Sequence, residues 1–173
     1  MSLAYRNTNS FQASRALVLS CCLALSAPVF AQLFDSVDWK ESQVPPPPAF
    51  DVKRLLPVEL PVHMTLRYGV DPATIVITGD GVVRYVIVAS SPSGTVNAFY
   101  EGVRCATAEM KTYARSTGNE WHTVSAPEWK PVRNMISLHT AAVAQQGLCR
   151  GRAPRASVSD IVMQLKNPTR EVE

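Results

Sequence analysis

The sequence predicts an α+β domain in which an antiparallel meander sheet of about five strands is followed by two C-terminal helices, with one disulfide. Between residues 57 and 124, short β-branched or alternating apolar segments are separated by turn sequences, which is typical of strands. Apolar residues at helical spacing appear only after residue 134. Strands in succession and then helices indicate helices packed on an antiparallel sheet.

Residues 1–31 have the organisation of a secretory signal peptide. Arg6 and Arg15 are their only charged side chains, an apolar run follows Arg15, and Ala31 supplies a small residue at the cleavage site. The run is about a dozen residues long, whereas a membrane-spanning helix needs roughly 20, and no second long apolar stretch follows. We expect export to the periplasm with cleavage after Ala31. A lipid anchor at Cys21 is the less favoured alternative, because too few apolar residues precede it.

The remainder of the chain is nearly neutral and fits one domain. The 173 residues have a formal net charge of +3, which the loss of two arginines with residues 1–31 would lower to +1. Nucleic-acid binding relies on many phosphate contacts, so this balance argues against it. We divide the remainder into a proline-rich N-terminal arm (32–56), a single α+β domain (57–168) and a short tail (169–173).

The exported part of the chain keeps two cysteines, Cys105 and Cys149. An even pair in an exported protein favours a disulfide, whereas a wide spacing without a CxxC motif argues against a zinc site or a redox motif. Closing a loop of 44 residues would contribute about 4 kcal/mol by the chain-entropy estimate.

The arm is expected to be extended. Residues 45–48 are four consecutive prolines, which favour polyproline II conformation and lack backbone donors. They fit either a ligand for a proline-binding domain or a stiff spacer along the surface, and the spacer is favoured. Trp39 is expected to pin the arm to the domain.

The clearest part of the sheet is a hairpin with Gly79, Asp80 and Gly81 at its turn. Its second strand, 82–89, is apolar on both faces except at Arg84, so we expect it to be central. The segment 109–116 fits a strand or a helix. The other expected strands are 57–70, 74–78, 95–105 with a bulge near Gly102, and an edge strand at 121–124.

Two helices are expected near the C-terminus. Asn134 is a suitable N-cap for the first, and Gly147 is expected to end it. Ser157 or Ser159 is expected to cap the short second helix.

Several residues match a known family: the runs DGVVRY at 80–85 and YEGVRC at 100–105, with Tyr113, Trp121, Trp129 and Cys149. On these residues the chain resembles the cryptic neisserial protein family, an uncharacterised group of Gram-negative envelope proteins. The resemblance covers most of residues 40–167. It implies a periplasmic protein, in a family with suspected lipoproteins, and it implies no known activity, so no catalytic residue carries over.

Four polar or charged residues stand out in strands that otherwise look buried: Arg84, Tyr100, Glu101 and Arg104. Buried charges need partners. One interpretation is an anion or carboxylate pocket lined by Arg84 and Arg104, with Tyr85 or Tyr100 alongside. The other, which is favoured, is an internal bridge between Glu101 and an arginine.

Trp121 and Trp129 are candidate surface aromatics. They fit stacking on sugars or on a partner protein, and they also fit closing the end of the core, which is favoured. The three histidines, His63, His122 and His139, lie on separate elements without metal-ligand spacing, so no metal site is expected.

No motif for a nucleophile, a catalytic base or a cofactor is present. We therefore expect a non-catalytic envelope protein that binds another protein or a peptidoglycan component, without a cofactor. The alternative is a small hydrolase acting on an envelope polymer, which would need titratable residues grouped in one cleft.

Overall fold

The computed structural model of the chain describes residues 39–118, 120–132 and 138–168. Several expectations lie outside the described residues: the signal peptide at 1–31 with cleavage after Ala31, the alternative lipid anchor at Cys21, the helix cap at Asn134 and the tail at 169–173. Among the described residues, no helix is long and apolar enough to cross a membrane.

An eight-stranded antiparallel sheet forms the centre of the fold. The strands are β1 (Leu56–Val58), β2 (Arg67–Val70), β3 (Val76–Ile77), β4 (Val82–Ser90), β5 (Val96–Arg104), β6 (Glu109–Thr117), β7 (Glu120–Thr123) and β8 (Lys130–Pro131). They lie in the order β1-β2-β4-β5-β6-β7, with β3 beside β4 and β8 beside β6. The expected number of about five was therefore too low.

The expected central hairpin is present. β4 pairs with β3 and β2 on one side and with β5 on the other, and every residue of β4 except Ser90 is buried. Gly81 adopts a φ of 82°, which glycine tolerates and which the turn before β4 requires. The ambiguous segment 109–116 is a strand, because β6 pairs with β5 along almost its whole length.

The alternating segment 57–70 is not one strand. It divides into β1 and β2, which pair with each other in an antiparallel hairpin. Between them, Met64 N donates to Pro61 O at 2.9 Å, and Val62 is fully exposed. Proline has no backbone donor and a fixed φ, so Pro61 favours a turn even where apolar residues alternate.

One face of the sheet is covered by the C-terminal helices. These are α1 (His139–Val143), which continues into a π-helical turn (Ala144–Leu148), and α2 (Val158–Lys166). Ser157 is the N-cap of α2, accepting from Asp160 N at 3.1 Å. Both helices and the turn pack against inward-facing strand residues, with a shared core that includes Tyr85, Ile87, Val103, Val143, Leu148, Ile161 and Leu165.

Gly147 has a different role from the one expected. It lies within the π-helical turn, and a Cβ there would overlap the side chain of Leu165. Glycine is therefore required at this position by the close approach of α2, and the extended residue that follows the turn is Cys149.

The disulfide between Cys105 and Cys149 is present, with a Cα–Cα distance of 5.7 Å. It joins the residue after β5 to β9 (Cys149–Arg150), which pairs with β10 (Ala153–Pro154) in a small hairpin. Arg152 in that hairpin donates from Nε and Nη2 to Ala106 O at 3.0 and 2.8 Å. A covalent bond and two hydrogen bonds thus fasten the segment after α1 to the end of β5.

The other face of the sheet is covered by the arm. Val44, Phe50 and Leu55 pack on a second buried cluster formed by strand residues Val86, Val88, Ala98, Tyr100, Tyr113 and Ala114. The fold therefore has three layers, which are the helices, the sheet and an extended strap of chain.

Candidate functional site

The structure separates the four polar candidates between the two faces of the sheet. In the β4–β5 register, Tyr85 is opposite Glu101 and Arg84 is opposite Gly102. Side chains alternate along a strand, so Glu101 faces the helices while Arg84, like Arg104, faces the arm. Arg84 and Arg104 therefore lie on the opposite face of the sheet from Glu101, and the favoured bridge between Glu101 and one of these arginines does not form.

On the arm side, Glu41 is the centre of a polar cluster. Its Oε2 accepts from Lys111 Nζ at 2.6 Å and from Trp129 Nε1 at 3.3 Å, and its Oε1 accepts from Tyr113 Oη at 2.7 Å. Arg84 Nη2 lies 3.9 Å from Oε1. Burial, together with the hydrogen bond to the Glu41 carboxylate, raises the pKa of Tyr113 far above its ordinary value.

Arg84 binds the main chain of the arm. It is 3% exposed, its Nη1 donates to Gln43 O at 3.1 Å, and its Nη2 donates to Ser42 O at 2.8 Å. Its Nε is buried without a hydrogen-bond partner in the described part of the chain. An open cleft of about 590 Å³ lies beside it, between the arm at Pro45 and Pro46 and the β3–β4 turn. Of the residues expected to line an anion pocket, this cleft contains Arg84 but not Arg104, Tyr85 or Tyr100, and both terminal nitrogens of Arg84 are already engaged.

Asp80 holds the same part of the arm from the β3–β4 turn. Its carboxylate accepts from Ser42 N at 2.6 Å and from the hydroxyl of Thr78, and its carbonyl oxygen accepts from Trp39 Nε1 at 2.8 Å. Burial opposes ionisation of Asp80, but the hydrogen bonds from Ser42, Thr78 and Val82 outweigh it and lower the pKa to about 2. Trp39 therefore pins the arm, as expected.

The other end of the arm is fastened to Asp71. This buried carboxylate accepts from Asp51 N at 2.8 Å and forms a bidentate pair with Arg54, at 2.8 and 2.9 Å. Burial alone would raise the pKa of Asp71, but the hydrogen bonds from Arg54, Asp51 and Ala73 lower it. The arm is thus held at both ends by carboxylates that lie next to strands.

Trp39 and Trp129 form an aromatic edge together with two cations. The indole rings meet edge-on with centroids 5.7 Å apart. The guanidinium of Arg104 lies 3.8 Å from the ring centre of Trp39, and Lys111 Nζ lies 4.9 Å from that of Trp129. Both rings are half-buried, so this aromatic edge, defined as Trp39, Arg104, Lys111 and Trp129, is in part open to solvent.

Trp121 lies elsewhere. It is paired across the strands with Ser116 near the end of β6, and its ring meets Phe50 of the arm edge-on at 5.8 Å. Trp129 lies over Lys111 near the start of β6. The two tryptophans therefore do not form one patch, and Tyr100 belongs to the buried cluster beneath the arm.

On the helix side, Glu101 is the centre of a second cluster. Its Oε2 accepts from Tyr85 Oη at 3.0 Å and from Thr140 Oγ1 at 3.1 Å, and its Oε1 lies 3.1 Å from His139 Nε2. The His139 ring stacks on Tyr68 with centroids 4.7 Å apart. Burial, and then the negative charge of Glu101, raises the pKa of Tyr85 well above its ordinary value.

This buried Glu101 cluster is enclosed. Glu101 is 1% exposed and His139 is 5% exposed, while Tyr85 and Thr140 are fully buried. The other histidines are exposed, His63 in the turn between β1 and β2 and His122 on β7, and the described residues contain no group of three metal-ligating side chains. The cluster has the residue types of an acid–base site, but in this structure it is a satisfied polar network inside the core.

Reasoning from the sequence missed Glu41, Lys111 and the pair His139–Thr140. Lys111 and Tyr113 are two residues apart in a strand, so a shared face was inferable once 109–116 is taken as a strand. Glu41 lies in an arm without any periodic pattern, and no local signal places it against that face.

A family model described as CNP1-like matches residues 34–166 of the chain. No curated protein and no solved structure gives a significant match. The matched segment contains the arm with Glu41, the whole sheet and both helices. On this match the chain belongs to the CNP1-like family.

Proposed function

We propose that this protein is an exported, non-catalytic binding module of the cell envelope, that it acts in the periplasm, and that it binds a peptidoglycan component. The observation that carries the proposal is the aromatic edge, where two half-buried indole rings and two cations meet at the surface. Residues 1–31 support export, and a disulfide is typical of an oxidising compartment.

The chemistry of the aromatic edge suits a polymer of sugars and carboxylates. Indole faces pack on the apolar faces of sugar rings. The ammonium group of Lys111 is already paired with Glu41, so the guanidinium of Arg104, which lies 3.9 Å from Glu109 Oε2, supplies the positive charge for a ligand carboxylate. Lys111 and Trp129 donate hydrogen bonds to Glu41, and Trp39 donates one to Asp80 O, so these groups are fixed before a ligand arrives. Such preorganisation reduces the entropy that binding would otherwise cost.

A hydrolase is the alternative, and the observation that favours it is the Glu101–His139 pair. A catalytic acid or base has to come within hydrogen-bond reach of its substrate. Both carboxylate oxygens of Glu101 already have protein partners, and neither residue is appreciably exposed. This enclosure favours the binding proposal.

The direct test is co-sedimentation of the exported chain, residues 32–173, with purified insoluble peptidoglycan. We expect the unaltered protein to sediment with the polymer and Trp129→Ala to bind at least about tenfold more weakly, which corresponds to about 1.4 kcal/mol. Trp121→Ala is the matched control, because it removes a half-buried indole at the opposite end of β6 and should leave binding unchanged. Thermal unfolding and near-UV circular dichroism confirm that each variant is folded.

Three results would overturn parts of the proposal. Unaltered protein that stays in the supernatant excludes a wall ligand, and equal losses for Trp129→Ala and Trp121→Ala exclude the aromatic edge as the site. Release of soluble fragments from the polymer, abolished by Glu101→Gln, would establish the hydrolase instead. Export is tested separately by fractionating cells that express the chain with and without residues 1–31.

A further inference from the structure

The guanidinium of Arg104 is held in place without using its hydrogen-bond donors. It lies 3.8 Å from the ring centre of Trp39, which is itself fixed by the hydrogen bond to Asp80 O. Within the described residues, Arg104 makes no hydrogen bond, and the ion pair that it forms is with Glu109, where Nη1 and Oε2 are 3.9 Å apart. The N–H donors of a guanidinium lie in its plane, so a guanidinium that is stacked on an indole can still pair side by side with a carboxylate.

Glu109 is in a similar position with the opposite charge. It is the cross-strand partner of Arg104 at the start of β6, and its Oε2 accepts from Thr107 Oγ1 at 2.7 Å. Its Oε1 accepts no hydrogen bond from the part of the chain that the structure describes. The side chains of Arg104 and Glu109 are 22% and 29% exposed, so a small ligand can reach both while neighbouring contacts hold them.

The charged groups next to this pair are already engaged. Lys111 Nζ donates to Glu41 Oε2 at 2.6 Å, and Arg84 donates to two carbonyl oxygens of the arm. Among the described residues at this part of the surface, Arg104 and Glu109 are therefore the cation and the carboxylate that remain for a ligand.

The Arg104–Glu109 pair favours a ligand group that carries both charges. A simple anion on Arg104 would be repelled by the nearby Glu109, and a simple cation on Glu109 would be repelled by Arg104. An α-amino-acid group avoids both penalties, because its carboxylate and its ammonium are attached to the same carbon and can pair with the two side chains together. The aliphatic part of such a ligand can pack on the half-buried rings of Trp39 and Trp129.

We infer that Arg104 and Glu109 form a zwitterion site that takes a free α-amino-acid group on a peptide of the wall polymer. The assignment rests on the proposed function and deepens it, because it names the part of a peptidoglycan component that the aromatic edge binds. A diamino acid with one end outside the peptide backbone carries such a group. A cross-link through that amino group turns the ammonium into an amide, so the site favours peptides that are not cross-linked.

Diaminopimelic acid is the soluble probe, because it has an α-amino-acid group at each end. Pimelic acid keeps its carboxylates without the ammonium groups, and cadaverine keeps the ammonium groups without the carboxylates. In ¹⁵N-labelled protein, the indole N–H signals of Trp39 and Trp129 should shift with diaminopimelic acid and saturate with a Kd on the order of 1 mM, and either control should bind at least about tenfold more weakly. The signal of Trp121 is the internal reference and should not move.

Substitutions test the two charges one at a time. Arg104→Gln and Glu109→Gln should each weaken the binding of diaminopimelic acid at least about tenfold. Arg115→Gln and Glu120→Gln are the matched controls, because they remove exposed charges at the far end of β6 and on β7, and they should bind as the unaltered protein does. Equal affinity for pimelic acid, or full affinity in a folded Glu109→Gln variant, would overturn the zwitterion site.

Co-sedimentation separates the zwitterion site from the proposed function. Acetylation of the free amino groups of the polymer should reduce sedimentation of the unaltered protein at least about tenfold. Unchanged sedimentation with the acetylated polymer, together with loss of sedimentation in Trp129→Ala, would overturn the zwitterion site and leave wall binding in place. Absence of sedimentation with the untreated polymer would overturn wall binding, and saturable shifts with diaminopimelic acid would then still support a site for a soluble α-amino acid.

Discussion

Gly102 of β5 lies directly beneath the ring of Tyr113 in the neighbouring strand. A Cβ at position 102 would lie 3.0 Å from two ring carbons of Tyr113 and would overlap its hydroxyl group. Tyr113 is the bulged residue of β6, because Tyr100 is opposite Ala114 whereas Glu101 is opposite Thr112. The bulge and the missing side chain together let the tyrosine cross β5 and reach Glu41 of the arm.

Gly102→Ala should therefore destabilise the protein. The added methyl group would displace a buried ring that is fixed by a hydrogen bond, and overpacking of this kind costs about 2 kcal/mol. Urea unfolding measures the loss. Gly79→Ala is the matched control, since nothing lies within 4 Å of a Cβ there and its backbone is not in the left-handed region. Equal stability of the two variants would contradict the close contact.

Removing the disulfide should lower stability strongly. Cys105→Ser with Cys149→Ser frees a loop of 44 residues in the unfolded chain, which the chain-entropy estimate equates to about 4 kcal/mol. The melting temperature should fall by on the order of 10 °C. Reduction of the unaltered protein should give the same shift, and unchanged melting in either case would mean that the bond contributes nothing to folding.

The buried Glu101 cluster should contribute to stability through its hydrogen bonds. Tyr85→Phe leaves one acceptor site of a buried carboxylate without its donor, which should cost about 2 kcal/mol. Tyr100→Phe is the matched control: it removes a hydroxyl from the neighbouring strand that makes no hydrogen bond in the described structure, and should cost under about 0.5 kcal/mol. A cost for Tyr85→Phe no greater than the control would show that the network is not stabilising.

Acid should weaken the docking of the arm. The pKa of Asp80 is about 2 in the folded protein, below its ordinary value of 3.8, so its contribution is present above about pH 4 and is lost as the pH falls towards 2. Asp71, whose pKa is also lowered, acts in the same direction. Urea unfolding between pH 5 and 2 should show this decline, and Asp80→Asn should flatten it. A decline of equal steepness in Asp80→Asn would exclude the Asp80 contacts as its cause.

Local sequence signals identified the parts of the fold whose determinants are close together in the chain. Gly79, Asp80 and Gly81 specify a hairpin because the turn residues and both strands lie within a few positions of one another, and the cap at Ser157 is equally local. The pairing of Cys105 with Cys149 followed from counting, since no other cysteine lies after residue 31. The alternating apolar pattern at 57–70 predicted one strand, but Pro61 favours a turn there and divides the segment into two strands.

The candidate site was harder to predict from the sequence, because its contacts depend on strand register and on segments that are distant in the chain. Alternation shows that Arg84 and Glu101 are each inside a strand, but only the pairing of Tyr85 with Glu101 places them on opposite faces. Glu41 and Lys111 are 70 residues apart, and no periodicity in the arm indicates which of its residues meet the sheet.

The arm precedes the sheet in the chain, and this order also affects the sequence of steps in which the protein can fold. Trp39, Val44 and Phe50 are synthesised before the strands that bind them. The hydrogen-bond partners of Glu41 lie up to 88 positions later in the chain, so they are also synthesised after it. During that interval apolar side chains without partners favour aggregation through strand pairing. Residues 45–48 have no backbone N–H groups, so an arm that has not yet docked on the sheet pairs poorly with a strand of another chain. The four prolines would thus protect the unfinished chain as well as stiffen the finished one.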